Sequence, residues 1–343
     1  MKNHRFAVTF LLLLAGVSSA MGSNAPRFKV AHRAVLGGED RWDLLALDAT
    51  TGRLFISRST RVQVMDVKTD SVLGEIADTP GVHGVALAPE LHRGFTSNGR
   101  DSSVTVFDPG TLAIKGRVKL PARNPDAIEY DPVSRRVFAF CGGSAVAIAI
   151  DATTDSIVGS VPMNGKPELA AADGKGRMYA NLEDSSTVVA FDTRSLQVLG
   201  RWPLAPGAEP TGLAIDREHR RVFASCANQQ LIVLDADRGR VVSVVPIGAG
   251  VDGVAFDPAR QLIFSSNGDG TLTVIHEDAP DRYTVVENAV TQPGARTLAL
   301  DPKSGDVFLP AAEFGPPPPP TADRPHPRGS VKPGTFVILT VRE

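Results

Sequence analysis

Residues 252–264 read DGVAFDPARQLIF, and residues 126–138 read DAIEYDPVSRRVF. Each opens on an acid and a small residue, runs through an apolar stretch to Asp-Pro, and closes on Phe. The phrase stands five more times: DLLALDATTGRLF from Asp43, HGVALAPELHRGF from His83, ELAAADGKGRMY from Glu168, TGLAIDREHRRVF from Thr211 and RTLALDPKSGDVF from Arg296. Successive starts lie 40 to 44 residues apart. In a chain of short strand-like segments without a long amphipathic helix, that period marks radial blades of four strands each. Seven copies predict an all-β, seven-bladed β-propeller built of four-stranded antiparallel blades.

The repeat uses nearly all of the 343 residues, which overrides the two or three domains that a length of about this size would otherwise suggest. The 32 glycines and 26 prolines suit many tight turns. In the third repeat the strands, named a to d from the axis outward, are predicted at residues 126–131, 136–141, 145–151 and 156–161. Strand b carries an aromatic in every copy: Phe55, Phe95, Phe138, Tyr179, Phe223, Phe264 and Phe308. Seven of seven, in a chain with 15 Phe and 3 Tyr, marks a packing position between blades. Strand c ends on Asp66, Asp108, Asp151, Asp192 and Asp235, where a carboxylate can cap the backbone of the c–d turn. Asp131, Asp257 and Asp301, each before Pro, do the same in the a–b turns.

The seventh repeat has strands a, b and c (residues 297–301, 306–310 and 335–341) and then the chain stops. The missing outer strand is expected from FKVAHRAV, Phe28 to Val35, paired with Thr335 to Val341 so that no edge stays open. Residues 311–334, with five consecutive prolines, interrupt that blade between strands b and c. A polyproline rod there reads as a surface loop, or as a lid or docking segment over the channel mouth.

Residues 1–20 read as a secretory signal peptide: Lys2 and Arg5, an apolar run from Phe6 to Val17, then Ser18-Ser19-Ala20, with cleavage expected after Ala20. The run is short for a membrane span, so no transmembrane segment is expected after cleavage, and the product should be periplasmic or secreted. The remaining domain, 21–343, carries 34 Lys and Arg against 38 Asp and Glu, a poor footprint for nucleic acid. Cys141 and Cys226 fall 15 residues into the third and fifth repeats. A whole blade between them exceeds the reach of a disulfide, ~7 Å between Cα atoms, so they read as small buried residues.

The chain resembles the YVTN-type propellers, specifically the exported bacterial YncE-like family. The resemblance runs from Trp42 to Val341. It is carried by PELAAADGKGRMYANLEDSSTVVAFDT (Pro167 to Thr193), by GARTLALDPKSGDVFLPAAEF (Gly294 to Phe314) and by the closing PGTFVILTV. The family tetrapeptide survives as FTSN at Phe95, FSSN at Phe264 and YANL at Tyr179. The resemblance implies an exported seven-bladed protein and little chemistry, because the fold hosts unrelated functions.

Candidate ligand residues follow from the ring geometry. The residues opening strand a converge on one channel mouth: Asp43, His83, Asp126, Glu168, Thr211, Asp252 and Arg296. The b–c loops are expected to add polar groups including Arg58, Asn98, Arg100, Asn181, Glu183, Asn228, Asn267 and Asp269. Such a rim suits a small polar ligand or a protein partner, and equally a water-filled opening. Oxygen donors from Asp126, Glu168 and Asp252 would suit a divalent cation, calcium or magnesium, if they converge; otherwise no cofactor is expected. That cation would allow the alternative function, a propeller hydrolase of the lactonase type. A metal-free version would use His83 as base, Glu168 as orienter and Arg296 as oxyanion partner, although blades two, four and seven set these apart. There is no C-x-x-C-H, H-E-x-x-H, G-x-S-x-G or P-loop, so catalysis has no positive signal. The sequence favours a monomeric, exported binding or scaffold module that contacts its partner through the rim.

Overall fold

The computed structural model describes residues 27–321 and 329–343, and the signal segment lies outside them. The 28 strands form seven four-stranded antiparallel sheets, each numbered here as a blade in repeat order. In six of them the strands follow sequence order from axis to rim. In the third blade they are Pro125–Asp131, Arg136–Cys141, Val146–Asp151 and Ile157–Pro162.

The seventh blade is closed as expected. Lys29–Val35 is its outer strand and pairs antiparallel with Val337–Arg342, from Lys29 opposite Arg342 to Val35 opposite Val337. Phe28 is buried at the junction of blades six and seven, edge-on to Phe264 at 5.8 Å. The Arg27 and Phe28 N–H groups donate to the Glu287 carboxylate at 2.9 and 3.0 Å. One detail differs from expectation. Strand a of this blade is only Ala299–Leu300. The residues before it bond sideways instead: Arg296 O accepts from Asp252 N–H of blade six, and Thr297 Oγ1 donates to Asp43 O of blade one.

The core is a ring of seven interfaces. One apolar cluster joins blades two and three through Phe95, Val104, Val137 and Ile148, and another joins blades four and five through Tyr179, Val188, Leu213 and Ile232. The other five junctions are built alike. All seven strand-b aromatics are buried in them. This is the reason for the repeat: a single blade has two apolar faces and can cover them only with neighbours.

The turn carboxylates do the capping assigned to them. Asp66, Asp108, Asp151, Asp192 and Asp235 each accept the backbone N–H groups two and three residues on, at 2.7 to 3.0 Å. Asp131 and Asp257 do so in their a–b turns. Cys141 and Cys226 are buried, unbridged, and end strand b in blades three and five. The base of the proline insertion is a short stem, with Phe314 bridged to Val331 and Gly315 N–H donating to Ser330 O. Its prolines 316–320 are exposed. No helix among the described residues is long and apolar enough to cross a membrane.

Candidate functional site

Strand a begins with a defect that builds the channel mouth. Its ladder with strand b breaks after the first residue, between Val82 and Val85, Pro125 and Ile128, Pro167 and Ala170, Pro210 and Leu213, and Val251 and Gly253. A break of this kind frees the next residue from the pleat and re-aims it. Those next residues are His83, Asp126, Glu168, Thr211 and Asp252. Arg296 and Asp43 occupy the mouth just ahead of their strands.

The mouth charges sort into groups that cross blades. His83 Nδ1 donates to Asp43 Oδ2 at 2.7 Å and lies 3.6 Å from Asp126 Oδ1, so one imidazole spans blades one to three. Lys166 lies 2.9 Å from Glu168 and also bonds Glu183. Arg296 lies 2.8 Å from Asp252. Burial alone would lower the pKa of His83. The Asp43 hydrogen bond and the charges of Asp126, Asp43 and Glu168 outweigh it and hold the imidazolium up to about 9. Burial and the Asp126 charge push Glu168 up to about 7, against the pull of Lys166, which is shared with Glu183. Burial raises Asp126 as well.

A cavity of about 630 Å³ opens beside this network, across blades one, two, six and seven. Arg41, Arg100, Arg296 and His83 supply its positive groups, Asp43 and Asp269 its negative ones, and Trp42 with Phe314 an aromatic wall. The wall is braced from behind. Trp42 lies 5.7 Å from Phe314 and 5.0 Å from Phe336, and the buried Arg58 guanidinium sits 3.8 Å over the Phe336 ring. Arg100 is exposed, and its guanidinium has no partner among the described residues. Deeper in, the channel narrows to about 130 Å³ between Leu44, Val85, Ile128, Leu169 and Val254, with Glu129 its charged group. Burial pushes Glu129 up to about 7 against the opposing charge of Arg217.

Several expectations need correction. Asn181 and Asn267 are not rim groups: both are wholly buried. Asn181 Nδ2 donates to Thr211 O and Gly212 O, at 3.1 and 2.9 Å. Asn267 Nδ2 donates to the hydroxyls of Thr271 and Thr273 at 3.0 and 2.9 Å. Asn98 is bound the same way to Ser103 and Thr105, and Arg58 is buried. These residues lie at or next to the end of strand b inside the sheet, where a polar side chain must be satisfied locally. Asp126, Glu168 and Asp252 do not bring ligand atoms within 4.8 Å of one another; Asp43, His83 and Asp126 do, with a proton of His83 already between them. The trio His83, Glu168 and Arg296 is not assembled, because Glu168 is engaged by Lys166 outside the cavity that the other two line. A histidine held charged at neutral pH is also a poor general base. Arg41, Trp42 and Phe314 went unflagged because none belongs to the repeat, and periodicity is blind to what occurs once.

No protein-family model matches the chain. It is 24% identical over 222 residues to the protein YncE of Salmonella typhimurium and, to the same extent, to YncE of Salmonella typhi. These alignments take in 60% of this chain and 62% of each relative's length. The chain is a seven-bladed β-propeller with a distant likeness to YncE over part of its length. The seven-bladed ring also superposes on a chain of the Mitotic Checkpoint Complex (TM-score 0.74, 13% identity, 99% of both chains). It superposes likewise on the RRP9 WD40 repeats (TM-score 0.76, 9% identity, 92% of this chain and 99% of that one). At those identities the likeness is one of fold alone, so this chain shares their architecture and not thereby their partners.

Proposed function

We propose that this protein is an exported binding module that takes a small organic anion, a carboxylate attached to a flat apolar group, in the cavity at the channel mouth. The observation that carries the reading is the lining itself. Beyond the paired Arg296–Asp252 and His83–Asp43 groups the cavity is lined by the guanidinium groups of Arg41 and Arg100, and Trp42 and Phe314 supply a flat apolar surface beside them. A cavity of a few hundred Å³ with an apolar wall and a few convergent polar groups is the usual form of a small-molecule site. Planar guanidinium groups match carboxylates in paired hydrogen bonds, each worth ~1.5–3 kcal/mol net when charged. Export is supported by the likeness to the YncE relatives and by the apolar N-terminal run that the sequence carries.

A thermal-shift titration of the mature protein with benzoate, phenylacetate and phthalate, with benzylamine as the cationic control, tests this. The carboxylates should raise the melting temperature and benzylamine should not. Arg100→Ala should abolish the rise without lowering the ligand-free melt, since this side chain holds nothing else in place. A panel that leaves the wild-type melt unmoved, or that acts equally on Arg100→Ala, would defeat the proposal.

A further inference from the structure

At the opposite end of the strands from the mouth, blades five and six enclose a second cluster. Asp216 is the last residue of strand a in blade five (Pro210–Asp216), and His219 lies in the turn that follows. Glu277 comes from strand c of blade six (Thr271–Ala279), which is nine residues long where the other c strands have five or six. The lengthening has a cause in sequence. Blade six carries His276 where other c strands end on a turn-capping Asp, so the hairpin runs on and pairs Glu277 with Tyr283. The extra length lays Glu277 over the blade-five turn.

His219 Nδ1 is 2.8 Å from Asp216 Oδ2 and 3.6 Å from Glu277 Oε1. The short contact is out of line for N–H donation, so Nδ1 has no hydrogen-bond partner. Glu277 Oε2 has none either, although the side chain is 0% exposed. The Tyr283 hydroxyl, whose one proton has Pro280 O at 2.6 Å as its nearer acceptor, lies 3.2 Å from Glu277 Oε1, and Asp216 accepts only backbone N–H groups from its own turn. The nearby Arg221 is spent on Asp281 and on the carbonyls of Pro280, His219 and Arg220. Two of the equivalent acids have a guanidinium, Arg260 on Asp257 and Arg220 on Asp173, each at 2.8 Å, whereas the buried Asp131 is met by backbone N–H groups alone; what sets Asp216 apart is the second buried carboxylate, Glu277, across from it. Here two buried carboxylates face a single imidazole, and buried charge without a partner is strongly unfavourable.

We propose that Asp216, His219 and Glu277 form a binding site for a first-row divalent metal ion of the zinc class. Their ligand atoms all lie within 4.8 Å of one another. Donors about a tetrahedral Zn²⁺, at bonds of about 2.0–2.1 Å, stand about 3.3–3.4 Å apart, between the two distances seen to Nδ1. Atoms that approach closely without hydrogen-bonding to each other, and so share a point in front of them, are what a ligand set requires. One imidazole with two carboxylates suits Zn²⁺, whereas Ca²⁺ and Mg²⁺ take shells of oxygen. The partly exposed His219 leaves a path from solvent. The ion would pin the blade-five turn to the long hairpin of blade six.

The test is calorimetric titration of the EDTA-stripped mature chain with Zn²⁺ near neutral pH, with Ca²⁺ and Mg²⁺ as comparisons. One equivalent of Zn²⁺ should bind and raise the melting temperature, while Ca²⁺ and Mg²⁺ do neither. Glu277→Gln and His219→Gln should each weaken Zn²⁺ at least ~10-fold, and His83→Gln, at the mouth, should leave it unchanged. The metal-free melt of each variant reports its folding, and either variant alone carries the test if the other is unstable. No uptake by the wild type, wild-type affinity retained in both cluster variants, or loss only in His83→Gln would each overturn the assignment.

Discussion

The charge on His83 should make the stability of the ring depend on pH in a window set by this one side chain. Its imidazolium is shared between Asp43 and Asp126 from two other blades, and only 28% of the side chain is exposed. The folded-state pKa of about 9 stands above the ordinary 6.5. The folded state therefore holds the proton more tightly than the unfolded chain does. The stabilisation is full below about pH 6.5 and is lost as pH rises through about 9. At about 1.4 kcal/mol per pH unit the displacement amounts to ~3 kcal/mol. Urea melts of the wild type and of His83→Gln, at intervals from about pH 6 to about pH 10, isolate this group from all others that titrate. The wild type should lead at the acid end, and its lead should shrink by ~3 kcal/mol across the window. Glu168 contributes at lower pH with the same sign. Its pKa of about 7, raised from 4.5, favours the protonated form on folding, so its share is lost as pH rises through about 7. Glu168→Gln should remove that lower limb and, because the Glu168 charge also helps to hold the His83 proton, shrink the His83 limb slightly. Parallel curves for wild type and His83→Gln between about pH 6.5 and about pH 9 would refute the account of the mouth as a proton held between carboxylates.

Two further outcomes follow from the fold. Removing residues 28–35 takes away the closing strand, the buried Phe28 ring and the edge protection of Val337–Arg342, so the melting temperature of the whole ring should fall by ~10 °C or more. An unchanged melt would show that the ring does not depend on this closure. Asn267→Ala should cost ~1–3 kcal/mol in denaturant titration, because the Thr271 and Thr273 hydroxyls lose their buried donor, while binding of the aromatic carboxylates stays unchanged. A loss of carboxylate binding without a loss of stability would return Asn267 to the site.

The architecture was legible because the repeat is redundant. A Phe or Tyr at the same step of every strand b, an Asp at the end of most c strands and a spare strand at the N-terminus each name a position in a blade, and the structure uses them so. The residues that open strand a do gather at one end of the ring, since the start of that strand is fixed by the same count. The sequence could not say which way a side chain turns there. Asn181 and Asp126 look alike as polar residues at strand ends, yet one faces inward to backbone carbonyls and the other, past a break in the ladder, faces the channel.

By itself, then, the sequence determined what every blade shares, because periodic packing repeats the same physical demand seven times. Tertiary structure alone decided what occurs once. Arg41, Trp42 and Phe314 come from outside the repeat and meet only when the ring closes and the last insertion folds back beside the first blade. His83 bridges two acids about 40 residues away on either side, and Glu277 reaches Asp216 and His219 across a blade boundary. Contacts of that kind depend on the curvature of the ring and the length of a single hairpin, quantities that no local pattern of residues encodes.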